Sequence, residues 1–148
     1  MRIILATLWL LVPLGFAAYH YGPGQEQVKL DHTEVFLAQA RSAVQEKNWT
    51  SAIESYQKAL AKLPKENKET SMRIQLEIAK AKMQNSGLPE AREDLAELVS
   101  QLKEDTTISS ELKEETVSTL ANARYYMTYL MKLEGLPAEE WEPEIEAA

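Results

Sequence analysis

Apolar positions divide the chain into two kinds of pattern. From Ile3 to Tyr21 they form an almost unbroken run, with no charge between Arg2 and Glu26. From about residue 31 onward they recur at three- and four-residue spacing among charged and amide side chains, the pattern of helices with one apolar face. Asp31-His32-Thr33-Glu34 reads as a helix start, with Asp31 as N-cap and Glu34 three residues on. Phe36, Leu37, Ala40, Ala43 and Val44 then share a face up to Lys47. Asn48 caps a second helix, Trp49 to Leu63, which Pro64 stops. A third runs from near Thr70 to Ser86 with Gly87 as its C-cap signal, and Pro89 stands where the first turn of a fourth tolerates it. A fifth opens at Ser109 or Ser110 and runs to Glu134, and Trp141-Glu142-Pro143 begins a last one.

Composition agrees with an all-α body. Ala, Leu, Glu, Lys and Gln dominate after residue 30 and glycine is scarce, at 5 residues. The net charge of −7 argues against nucleic acid as a partner, since phosphate binding needs a basic stripe. The absence of cysteine removes disulfides and thiol chemistry.

The N-terminal run changes the picture of where this body works. As a helix, Ile3 to Tyr21 would rise about 28 Å, close to the hydrocarbon thickness of a bilayer. Tyr19 and Tyr21 sit where interfacial aromatics are favoured, and Gly22-Pro23-Gly24 ends the helix. Residues 1–24 therefore read as a membrane anchor or, with Gly15-Phe16-Ala17 offering a cleavage site, as a signal peptide. In either case Arg2 stays cytoplasmic and the rest is exported: a single-pass membrane protein with a periplasmic-type domain, or a secreted or periplasmic one after cleavage. Residues 25–30 read as a polar linker and 31–148 as the helical domain.

Within that domain one segment carries a specific resemblance. Ala52, Tyr56, Ala59 and Pro64 stand at offsets 0, 4, 7 and 12, and Ala40 lies twelve residues before Ala52 with Phe36 four before that. This pattern resembles the tetratricopeptide repeat, in which small residues let two helices close and an aromatic fills the wedge between them. A second copy uses Ala79, Ala91, Leu95 and Leu98, shifted by 39 residues where the family repeats at about 34. A third is suggested by Glu134-Gly135-Leu136-Pro137, which echoes Ser86-Gly87-Leu88-Pro89 at a spacing of 48. The resemblance implies an α-solenoid of about 2.5–3 hairpins behind the N-terminal apolar helix.

What the resemblance implies about function is a partner-binding groove lined by the first helix of each pair. In this register the lining residues are Leu37, Arg41 and Val44, then Arg73, Leu76, Lys80 and Met83, then Arg124, Thr128 and Met131. Basic residues recur among them, which suits an acidic or carboxylate-bearing ligand. The family's Lys/Asn carboxylate clamp is absent. The expected partners are other proteins, met as an extended peptide, a helix or neighbouring membrane subunits, together with the membrane itself through residues 3–21. The chain reads as a non-catalytic scaffold, with a structural subunit of a larger membrane complex as the alternative.

Other chemistry is sparse. His32 shares no helical face with Asp31 or Glu34, so metal binding is not expected, and no cofactor loop or nucleophile elbow is present. Asn48-Trp49-Thr50 fits a glycosylation sequon and equally a helix cap. Tyr125, Tyr126 and Tyr129 read either as a binding platform or as core and rim packing. The final helix shows no polar capping face, so either it docks on a partner or the chain continues past Ala148.

Overall fold

Helix formers separated by three- to five-residue turns must fold back on themselves, because each amphipathic stripe has only its neighbour to cover it. The structure, a computed structural model, describes residues 24–147 and, before them, Val12. Six helices follow in order: α1 (Gly24–Gln45), α2 (Trp49–Lys62), α3 (Lys68–Gln84), α4 (Leu88–Glu104), α5 (Ser110–Leu133) and α6 (Ala138–Glu146). No strand occurs among the described residues. Each helix packs on the next in the chain, and α3 also touches α5. Odd-numbered helices therefore run one way and even-numbered ones the other, in the manner of a helical repeat.

The core divides in two, with α3 contributing to both parts. One face of α3 places Ile74 and Ile78 with Leu37, Ala40, Ala43, Ala52, Tyr56 and Ala59 of α1 and α2. Its other face places Leu76 and Ala79 with Leu95, Leu98, Leu102, Leu112 and Leu120 of α4 and α5. The first cluster is built on small residues: Ala40, Ala52 and Ala59 are all fully buried, so α1 and α2 approach closely and the Tyr56 ring fills the angle between them. The second is leucine-rich.

Turn chemistry follows one device three times. Asn48 N–H donates to Ala43 O at 2.8 Å, Gly87 N–H to Lys82 O at 2.9 Å and Leu136 N–H to Met131 O at 3.0 Å. In each case the preceding residue is left-handed: Lys47 (φ 57°), Ser86 (φ 61°) and Gly135 (φ 75°). The Gly87 and Gly135 echo is thus one residue out of step. Gly87 is not the left-handed C-cap residue expected of it but the N-cap of α4, at φ −102°. Asn48 caps as expected, its side-chain oxygen accepting from Ser51 N–H at 3.2 Å.

The expected linker is absent, because α1 is continuous from Gly24 through Asp31. Nothing between Gln25 and Leu30 breaks a helix, and Gln, Glu, Lys and Leu propagate one, so Asp31 lies inside. The expected anchor, with Tyr19 and Tyr21, falls outside the described residues. Among those described, no helix is long and apolar enough to cross a membrane.

Candidate interaction groove

The parallel helices α1, α3 and α5 share one side of the array, and their outward residues line a trough. Its first section, about 560 Å³, is bounded by Glu34, Leu37, Arg41 and Val44 of α1 and by Arg73 and Glu77 of α3. A second, about 540 Å³, begins at Val44 and Glu77 and crosses Lys80 to Thr119, Asn122 and Tyr126 of α5. A third, about 730 Å³, continues from Met83 and Tyr126 into an apolar cleft with Leu88, Met127 and Leu130. Shared residues join the three. A separate open cleft of about 790 Å³ lies by the C-terminal ends of α2 and α4, walled by Leu63, Met72 and Gln101 among others.

The residues expected to line the groove separate into three groups. Leu37, Arg41, Val44, Arg73, Lys80 and Met83 line it. Leu76 does not: it is fully buried in the leucine cluster and offers no surface to a partner. Arg124 and Thr128 fall away from the trough: Thr128 is buried, and Arg124 Nε points to Glu144 of α6 at 3.8 Å, whereas Met131 lines the trough's third, apolar section. The face of α5 that meets the groove is instead Glu115, Thr119, Asn122 and Tyr126.

The error has a geometric cause. The Gly135 echo lies 48 residues after Gly87, but α5 has 24 residues where α3 has 17, so matching the helix ends counts too far. The helix starts, Lys68 and Ser110, are 42 residues apart. That shift carries Arg73, Glu77, Lys80 and Gln84 onto Glu115, Thr119, Asn122 and Tyr126. Six residues correspond to about 120° of rotation on a helix. The start-to-start spacing was the signal that could have found this face.

Charge in the trough is largely self-satisfied. Lys80 Nζ donates to Glu77 at 2.8 Å and across to Glu115 of α5 at 2.6 Å. Arg73 reaches Glu69 at 3.7 Å and Glu115 at 3.8 Å. Burial works to lower the Lys80 pKa, but its hydrogen bonds to Glu115 and Glu77, with their negative charge, outweigh it and hold the ammonium above its usual range. Arg41 has no carboxylate within ion-pair distance among the described residues, and the cleft beside it is floored by Tyr56. Burial pushes the Tyr56 phenol up, reinforced by Glu77 and opposed by Arg41 and Lys80. Arg41 and the Tyr56 hydroxyl are therefore the cationic and donor groups open to a guest in this section.

The side of α5 turned from the trough holds α6. Glu144 of α6 takes Arg92 of α4 at 2.9 Å and faces Arg124, while Lys132 lies 3.9 Å above the Trp141 ring. Arg92 Nε, Arg124 Nε, Thr128 Oγ1 and Glu144 Oε2 are buried without hydrogen-bond partners at this joint. No α6 side chain is fully buried, so its docking is polar. Among the described residues no three His, Asp or Glu side chains converge as metal ligands would.

Tyr125, Tyr126 and Tyr129 are 67%, 55% and 53% exposed, so none of the three is a core residue. No protein-family model, curated protein or solved structure matches the chain.

Proposed function

We propose that this chain is a non-catalytic, tetratricopeptide-like interaction scaffold, carried on its N-terminal apolar segment and presenting a groove on the exported side of a membrane. The observation that carries the reading is the trough itself. Three helices, separated in sequence, each contribute residues at helical spacing to one continuous concave surface, from Glu34 to Tyr126. The Ala40, Ala52 and Ala59 hairpin supports the repeat-family likeness on physical grounds, because closure on alanine is what that repeat pattern encodes. The guest that suits the trough is a peptide in extended or helical form. Its apolar residues meet Leu37, Val44 and Met83, and a carboxylate or carbonyl oxygen meets Arg41 and the Tyr56 hydroxyl. The internal pairing of Arg73 and Lys80 with Glu115 makes a strongly acidic guest a poorer fit than the basic residues alone suggest.

The test is site-specific photo-crosslinking in the full-length chain in its native membrane. A crosslinker at Asn122, in the trough, should capture a discrete protein partner, whereas one at Lys58, exposed on α2, should not. Arg41→Glu should reduce the capture without loss of helical content. Equal capture at both positions, or capture indifferent to Arg41→Glu, would overturn the groove assignment.

A further inference from the structure

The α1–α2 turn carries chemistry that the groove does not use. Of the chain's four asparagines, only Asn48 is followed two residues on by a hydroxyl, that of Thr50, with no proline between them. Glu46, Lys47 and Asn48 are exposed in succession, and Thr50 is exposed too. The two ends of the Asn48 amide have different fates. Its Oδ1 belongs to the fold, accepting from Ser51 N–H at 3.2 Å as the N-cap of α2. Its Nδ2 donates to no group among the described residues. A helix cap needs the oxygen and an N-linked sugar needs the nitrogen, so the two uses of this side chain do not compete. Position agrees with the chemistry. The 22 residues of α1 put about 33 Å of helix between this turn and Gly24, where the N-terminal segment joins. Asn48 and Thr50 also line none of the trough's three sections, although Trp49 between them borders the second.

We propose that Asn48 is an N-glycosylation site, modified on the exported side of the membrane by a sugar chain delivered from a diphosphate-activated, lipid-linked donor. In the transfer, Asn48 Nδ2 forms a bond to the anomeric carbon of the first sugar. The bond from that carbon to the diphosphate oxygen breaks, and the lipid diphosphate leaves with the electron pair. One Nδ2 proton passes to a base of the transferring enzyme. The product keeps one N–H and an unaltered Oδ1, so the cap to Ser51 survives modification. The proposal rests on the exported placement put forward above, because the donor is used on that side. The sugar is bulky and solubilising. Standing on an exposed turn, it hydrates one end of the array and leaves Arg41 and the Tyr56 hydroxyl open to a guest.

The test is mass spectrometry of the full-length chain, intact and as proteolytic peptides, after extraction from its native membrane. The wild-type chain should carry a sugar mass that fragmentation places on Asn48. Thr50→Ser keeps the motif and should keep that mass, whereas Thr50→Ala should lose it although the cap at Asn48 is untouched. Asn48→Asp should also lose it completely. Aspartate caps a helix as well as asparagine does, so the unfolding midpoint of this variant separates lost modification from lost folding. Because the chain has no cysteine, Lys58→Cys on exposed α2 reports placement through a membrane-impermeant maleimide applied to intact cells. A labelled thiol on a chain of bare polypeptide mass would overturn the glycosylation proposal and leave the exported placement standing. An unlabelled thiol with bare mass would overturn both. A sugar mass that persists in Asn48→Asp or Thr50→Ala would place the modification elsewhere and overturn the assignment to Asn48.

Discussion

Replacing Ala40 with leucine tests the packing on which the first hairpin rests. Ala40, Ala52 and Ala59 are fully buried and Tyr56 is 4% exposed, so there is no volume between α1 and α2 to receive three further carbons. In free space those carbons would be worth about 0.8 kcal/mol each in transfer energy. Here they would push α1 off α2 or force an unfavourable rotamer, and overpacking of that kind costs about 1–3 kcal/mol. For a body of about 120 residues a loss of 2 kcal/mol lowers the unfolding midpoint by roughly 6–12 °C. The assay is thermal unfolding by circular dichroism of the full-length chain in mild detergent. Ala38→Leu serves as control, because Ala38 is exposed on the same helix and the change should stay within about 0.5 kcal/mol. An Ala40→Leu midpoint indistinguishable from wild type, or an equal loss at Ala38, would refute the register of the hairpin.

Three further outcomes follow from particular contacts. Ser86→Gly should stabilise by about 0.5–1 kcal/mol, because Ser86 holds a left-handed φ of 61° that glycine adopts without strain, and Gly135→Ala should cost about 1 kcal/mol at φ 75° although space there is open; denaturant midpoints of the two variants check the opposite signs. Stability should fall on the alkaline side. Tyr56 and Lys80 both titrate above their ordinary values of 10.0 and 10.5, so their contribution is complete below those values and is lost as pH rises through the folded ones. Tyr56→Phe should flatten that limb in a pH series of unfolding midpoints, and an unchanged slope would remove Tyr56 from the account. Glu144→Gln should weaken the docking of α6 by about 1–3 kcal/mol, because Arg124 loses its carboxylate partner and Arg92 keeps only the exposed Glu93 at 3.6 Å. Hydrogen exchange should then accelerate in α6 while α1 and α2 are unchanged.

Local chemistry was legible wherever one element decides it alone. Asn48 caps, Pro64 stops, Pro89 enters at the first turn, and Ala91, Leu95 and Leu98 are buried, because each depends on one helix and its own stripe. Helix class, the order of elements and the alanine-lined hairpin were therefore determined by the sequence itself. Asp31 carries a capping signal yet lies inside α1, because five of the six residues before it are good helix formers.

What the tertiary structure decided is which side of each helix faces which neighbour. Leu76 and Arg73 lie three residues apart on α3, yet one is buried against α4 and the other meets Glu115 across the trough. The rotation of α5 depends on how far it outruns α3, a length that turn signals at its C-terminal end obscured. Lys80 has Glu77 of its own helix at 2.8 Å, but its second carboxylate, Glu115 at 2.6 Å, is 35 residues away in sequence and is brought to it only by α5. Periodicity marks the apolar stripe of a helix, but a helix packed on both sides carries two stripes. Only the positions of its neighbours decide which residues between them remain open to a partner.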